Sequence, residues 1–219
     1  MSGNEVKEED LEKLKDLDTT LSDINNLIGK QLNLSTKIGG IRGEILTLLK
    51  LRERYGNRDI RWYGGLKKEY DMKIMDGNKE VEIQIKSSSS KKPFFKIPAR
   101  EKGKDDDKAL FEVEIVSKNG NIYQYPSEIS VAKPNMIWIL ISINISDPNR
   151  SEFYIFNERE LADVAIKTYE NYLKGKNYSR ANSKSSLDCR IGPYSEYDYE
   201  KTHFRNAHNN WGIIDEILF

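Results

Sequence analysis

Cysteine is nearly absent from this chain. Cys189 stands alone among 219 residues, which rules out an intrachain disulfide and suits a reducing compartment. Only two histidines accompany it, His203 and His208, so a zinc cluster cannot be assembled. Any metal site must then rest on oxygen ligands, which favours magnesium or manganese. No sign of charge is in excess either, since Lys+Arg and Asp+Glu both number 35. A neutral total neither predicts nor excludes a nucleic-acid partner, because binding depends on where the basic residues sit. Long apolar runs are also missing. The longest, Met136-Ile137-Trp138-Ile139-Leu140-Ile141, falls far short of the roughly 20 residues a membrane helix needs. The opening Met1-Ser2-Gly3-Asn4-Glu5 is polar and acidic, unlike a signal peptide. The expected location is cytoplasmic, with no membrane partner.

What is present is a charged but foldable chain, 37% hydrophobic and 32% charged. Its length suits one domain with an appendage. We read residues 1–34 as an N-terminal helical arm and 35–219 as the main domain. In the arm, Leu14, Leu17, Leu21, Ile24 and Ile28 step by three and four and predict an amphipathic helix from Glu8 to about Gln31. Such a helix either packs on its own domain or forms a homodimer. A second helix is expected from Ser35 to Tyr55, capped by Ser35 or Thr36, with Ile38, Ile41, Ile45, Leu48, Leu49 and Arg52 on one face. Gly39, Gly40 and Gly43 weaken its first half and would admit another backbone or a ligand.

A hairpin follows, with strands at Tyr70–Met75 and Glu80–Lys86 around an Asp76-Gly77-Asn78 turn. Val81, Ile83 and Ile85 alternate with Glu82, Gln84 and Lys86, so the strand has one apolar and one polar face. Polar loops are expected over Ser87–Lys92 and Arg100–Lys108. Further strands are expected at Leu110–Val116, Gly120–Tyr125, Met136–Ile145 and Phe153–Phe156. A helix over Asn157–Leu173 should turn Leu161, Val164, Ala165, Tyr169 and Leu173 inward, and Lys174–Asp188 reads as irregular. A closing helix or turn is expected within Glu200–Phe219, with Trp211 in the core. Together these describe an α/β domain with a mixed sheet.

Metal-assisted phosphodiester cleavage needs oxygen ligands for a hard cation, a water activated by it, and a cation facing the phosphate. Asp71 on one strand of the hairpin, Gln84 and Lys86 two apart on the other, and Glu44 on the preceding helix are spaced to supply them. In that order and spacing the chain resembles the PD-(D/E)XK nuclease superfamily, whose pattern is a helix Glu, a strand Asp, and an acidic or Gln residue followed by any residue and Lys. The match runs through Arg42-Gly43-Glu44-Ile45, Tyr70-Asp71-Met72 and Gln84-Ile85-Lys86. Tyr70 stands where the family often has proline, and Gln84 offers a carbonyl oxygen without charge. The resemblance implies a restriction-endonuclease-like mixed central sheet flanked by helices. It implies that Asp71, Gln84, the Ile85 carbonyl and Glu44 bind magnesium or manganese, and that Lys86 assists the water or the transition state. The activity implied is hydrolysis of DNA.

Lys67 and Lys68, together with Ser87, Ser88, Lys91 and Lys92, flank this hairpin and suit phosphate contacts, the serine run reading equally well as a solvated loop. Phe94, Phe95 and Lys96 lie just beyond. Arg180, Lys184 and Arg190 form a second basic region, and the two histidines read as surface or packing residues. Two alternatives stay open: an inactive nucleic-acid binder on the same fold, and a protein-interaction module built on the N-terminal helix.

Overall fold

The structure, a computed structural model, describes residues 4–5, 12–21, 32–56, 58–64, 70–104, 109–119, 121–128, 133, 135–175 and 187–219. In chain order the elements are β1 (Asn4–Glu5), α1 (12–21), α2 (Leu32–Tyr55), β2 (Asp59–Trp62), β3 (Met72–Asp76), β4 (Lys79–Ser88), β5 (Phe95–Glu101), β6 (Phe111–Lys118) and β7 (Asn121–Glu128). They continue with β8 (Met136–Ser142), β9 (Glu152–Asn157), α3 (Glu158–Lys174), β10 (Asp188–Ile191), α4 (Asp198–Ala207) and α5 (Gly212–Leu218). The chain is mixed α/β, as expected, but it has two mixed sheets rather than one. The first runs β1-β2-β3-β4-β8-β9 and the second β10-β5-β6-β7.

The period of two in β4 decides how these layers stack. Its odd residues Val81, Ile83 and Ile85 join Ile137, Ile139 and Ile141 of β8 in an apolar layer beneath α2 and α5. Its even residues share a face with Met136, Trp138 and Leu140, which meet the second sheet, α3 and α4 in the other core. β8 lies between parallel β4 and antiparallel β9, covered on both sides. That double burial is why Met136–Ile141 is continuously apolar.

The hairpin forms as expected, with Asp76 opposite Lys79 across a Gly77-Asn78 turn. Helix α3 is also where the sequence places it. Asn157 caps it by accepting from the Glu160 amide at 2.8 Å, and all five expected inward residues are buried. At the C-terminus the expected closing element is two helices, α4 and α5, with Trp211 buried between them.

Several expectations give way. Ser87 and Ser88 belong to β4 rather than a loop, because β8 extends the ladder past the end of β3 and pairs with both. Arg100 and Glu101 end strand β5 rather than lying in a solvated loop, with Arg100 held by Glu112 on β6. Strands β1, β2, β5 and β10 have no counterpart among the expected elements. In α2, Ile41 is exposed and Arg42 takes the buried place, paired with Asp18 of α1 at 2.8 Å. The expected leucine seam of the arm is likewise altered. Asp18 is buried and Leu17 exposed, and Leu14 packs on the core of the same chain. Residues 22–31 of the expected first helix, with Ile24 and Ile28, lie outside the described residues, as do residues 105–108 and 176–186. Among the described residues no helix is long and apolar enough to cross a membrane.

Gly43 fixes how closely α2 lies on the sheet. A Cβ there would stand 2.5 Å from Ser87 Cβ and 3.2 Å from Ile141 Cγ2, both on the α2-facing side of the sheet. Gly43→Ala is expected to cost about 1–3 kcal/mol, because the neighbours are strand residues that can yield little. It should also shift the adjacent Glu44. Urea unfolding reads the first effect and manganese titration the second; an unchanged midpoint would show that the helix has room to spare.

Candidate metal centre

The polar face of β4 meets the start of β3 where the ladder ends. Asp71 directly precedes β3, and its amide donates to the Ile83 carbonyl at 2.8 Å. Its carboxylate turns back over the second strand. Oδ2 accepts from Gln84 Nε2 at 2.5 Å and from the Ile85 amide at 2.7 Å. Amide and carbonyl of one strand residue point to the same side, so the Ile85 carbonyl also faces the edge that β3 has vacated. Thus Asp71 and Gln84 come together, as the hairpin spacing predicted, and the Ile85 backbone joins them. Gln84 itself is buried, so its amide has little competition from water.

Glu44 arrives from α2. Its Oε2 accepts from Trp62 Nε1 of β2 at 2.6 Å. Burial raises the Glu44 pKa, the Trp62 hydrogen bond lowers it, the nearby Asp71 carboxylate raises it and Lys86 lowers it. Those last two influences put Glu44, Asp71 and Lys86 in one electrostatic neighbourhood. Lys86 lies with its Nζ 6.0 Å from the centroid of the Trp138 ring, beside Gln84 on the shared face. Glu82, on the same face, is engaged with Lys73 at 3.3 Å.

No family model, no curated protein and no solved structure matches this chain. The site therefore has to be judged on its own chemistry. Among the described residues no three His, Cys, Asp or Glu side chains group as metal ligands. The candidate set is two carboxylates, one side-chain amide and one peptide carbonyl, all oxygen donors of the type magnesium and manganese accept. A half-buried Glu44 carboxylate whose proton affinity is raised by burial and by the neighbouring Asp71 carboxylate is an arrangement a cation would relieve. The set fits, on one condition. Gln84 presents its nitrogen to Asp71, and its oxygen would have to turn toward a cation.

The flanking residues divide. Ser87 faces α2, not the polar side, and its hydroxyl donates to the Gly39 carbonyl at 2.9 Å. The hydroxyl there joins helix to sheet. Ser88 is half-buried in the strand, its hydroxyl 3.5 Å from the Ser90 amide. Lys91 and Lys92 are exposed. Lys67, Lys68, Arg180 and Lys184 lie outside the described residues.

Trp62 was missed at the sequence level. Strand β2 has only four residues, with Ile60 and Trp62 as its apolar members, too short a pattern to register. The indole N–H favours the ionised form of Glu44, so Trp62→Phe should push the Glu44 pKa higher still. Because the carboxylate is the metal-binding form, manganese affinity in the variant should fail at a higher pH than in wild type. In the metal-free protein the sign is opposite: a raised folded pKa contributes stability below the unfolded value, and this is lost as pH rises through the folded one. Calorimetric titration across pH 5–8 tests the shift, and superimposable profiles would remove Trp62 from the site.

Proposed function

We propose that this chain is a metal-dependent endonuclease of the PD-(D/E)XK type, using magnesium or manganese to hydrolyse DNA phosphodiester bonds. The observation that carries this reading is the convergence of Glu44, Asp71, Gln84 and Lys86 from α2, the β3 edge and β4, in the order the family pattern requires. Bound to Asp71, Glu44, Gln84 and the Ile85 carbonyl, the cation would acidify water and neutralise phosphate charge. Asp71 orients Gln84 and is itself fixed by the Ile85 amide. The Trp62 hydrogen bond favours the ionised form of Glu44, opposing the effect of burial. Lys86 supplies positive charge beside Gln84 on the same face, where it can orient water or offset charge on the phosphate. The direct test is cleavage of plasmid and single-stranded DNA with magnesium or manganese, comparing wild type with Asp71→Ala and Lys86→Ala. Equal cleavage by all three would end the proposal.

One observation favours a second reading, a catalytically inactive nucleic-acid binder on the same fold. Gln84 completes a neutral-to-anionic hydrogen bond with Asp71 and so satisfies the site without a cation. Manganese calorimetry separates the two, since an absence of binding supports the inactive form. Homodimerisation through α1 is a further proposal. It draws on exposed Leu17, and the same oligomeric state after removal of the first 34 residues would refute it.

A further inference from the structure

The outer face of the second sheet carries an arrangement that the metal centre does not use. Strands β5 and β10 pair antiparallel, with Lys96 directly opposite Arg190 and Phe95 opposite Ile191. Phe95, Ile97, Cys189 and Ile191 fill the core, so Lys96 and Arg190 stand on the solvent side, both exposed. Phe94 is 44% exposed, and the Arg190 guanidinium lies 5.0 Å from its ring centroid. The backbone beneath is fixed. A side chain at Gly192 would overlap the Pro93 carbonyl and come within 3.3 Å of Phe94 Cα, so the two chain segments touch main chain to main chain.

Two cations directly opposite each other weaken a ladder. Asp188, 3.7 Å from Lys96, offsets one of them, while among the described residues no carboxylate pairs with Arg190. Lys91 and Lys92 add two more exposed cations just before the ring. An accessible ring backed by a guanidinium and bordered by ammonium groups matches a base and its neighbouring phosphates. Paired bases keep their faces inside the duplex stack, so such a ring can serve only unpaired ones.

We propose that Phe94, Arg190 and Lys96 form a stacking platform for single-stranded nucleic acid. This deepens the nuclease reading by assigning its substrate a single-stranded segment, and rests on that reading for the strand's being a substrate. The loop that leaves β4 ends at Phe94, so the platform follows in the chain directly after the strand that carries Gln84 and Lys86.

The test is fluorescence anisotropy in EDTA with labelled dT12, U12 and a 12-base-pair duplex, using the full chain. Wild type should bind at least one single strand about tenfold more tightly than duplex, and Phe94→Ala or Arg190→Ala should remove about tenfold of that affinity. Preference between dT12 and U12 states which sugar the platform accepts, and either supports it. Duplex binding equal to single-strand binding, or an unchanged Phe94→Ala, overturns the proposal. Phe94 is exposed, so its loss does not threaten the fold. DNA cleavage by wild type that Phe94→Ala leaves untouched would overturn the platform alone. Phe94-dependent binding without cleavage would overturn the nuclease reading alone.

Discussion

Asp71→Asn is expected to lower DNA cleavage by on the order of 10³-fold while the protein stays folded. The substitution removes the negative charge but keeps an oxygen that can accept from the Ile85 amide, now 2.7 Å from Oδ2. Asp71→Ala is a harsher change. It strands the Ile85 amide and the Gln84 side chain, whose Nε2 is 2.5 Å from the same oxygen, and should cost about 1–3 kcal/mol of stability as well. Comparing the two separates chemistry from folding. Plasmid nicking with magnesium reads the first and thermal melting the second. Lys86→Ala is expected to lose cleavage while manganese still binds, because Lys86 is not among the proposed ligands. Wild-type activity in Asp71→Asn would show that the carboxylate charge has no part in the reaction.

Asp18→Ala should have the largest effect on stability, about 3–5 kcal/mol. Arg42 is 1% exposed, and its guanidinium is met by Asp18 through Nε at 2.8 Å and through Nη2 at 3.4 Å. Removing the carboxylate leaves a charge in the interior with no partner of opposite sign among the described residues. Against a domain stability of about 5–15 kcal/mol that is a large fraction. The double variant Asp18→Ala/Arg42→Met should recover most of the loss, since the buried charge is then gone too. Urea unfolding of the three variants gives the comparison. A loss below 1 kcal/mol in Asp18→Ala would mean that α1 does not hold this position in solution. The pair also bears on the N-terminal arm, because it anchors α1 to α2 of the same chain at the helix turn that precedes Glu44.

The candidate site was legible where it depended on short-range order. A period of two over Val81–Lys86 put Gln84 and Lys86 on one face, and an Asp-Gly-Asn turn set a register in which Asp71 falls beside Gln84. Trp62 was not legible. It reaches Glu44 across 18 residues of sequence, and only the packing of β2 beside β3 brings the two together. Ser87 misled for a related reason. A serine run reads as a loop until a neighbouring strand is there to pair with it, and β8 lies some fifty residues further on. Phe94, Lys96 and Arg190 are equally scattered, and only the β5–β10 ladder aligns them.

The sequence by itself determined that the hairpin has an apolar and a polar face, and that α3 follows Asn157 with its five core residues inward. Those outcomes follow from side-chain alternation and helix periodicity, both local properties. Tertiary structure alone decided that the strands divide into two sheets, that a charged Arg42 rather than Ile41 is buried, and that Asp71 stands near enough to Glu44 to raise its pKa. The physical reason is that pairing and burial are set by partners distant in the chain. A buried arginine is tolerable only once Asp18 is beside it, and a carboxylate is a candidate ligand only once a second one shares its pocket.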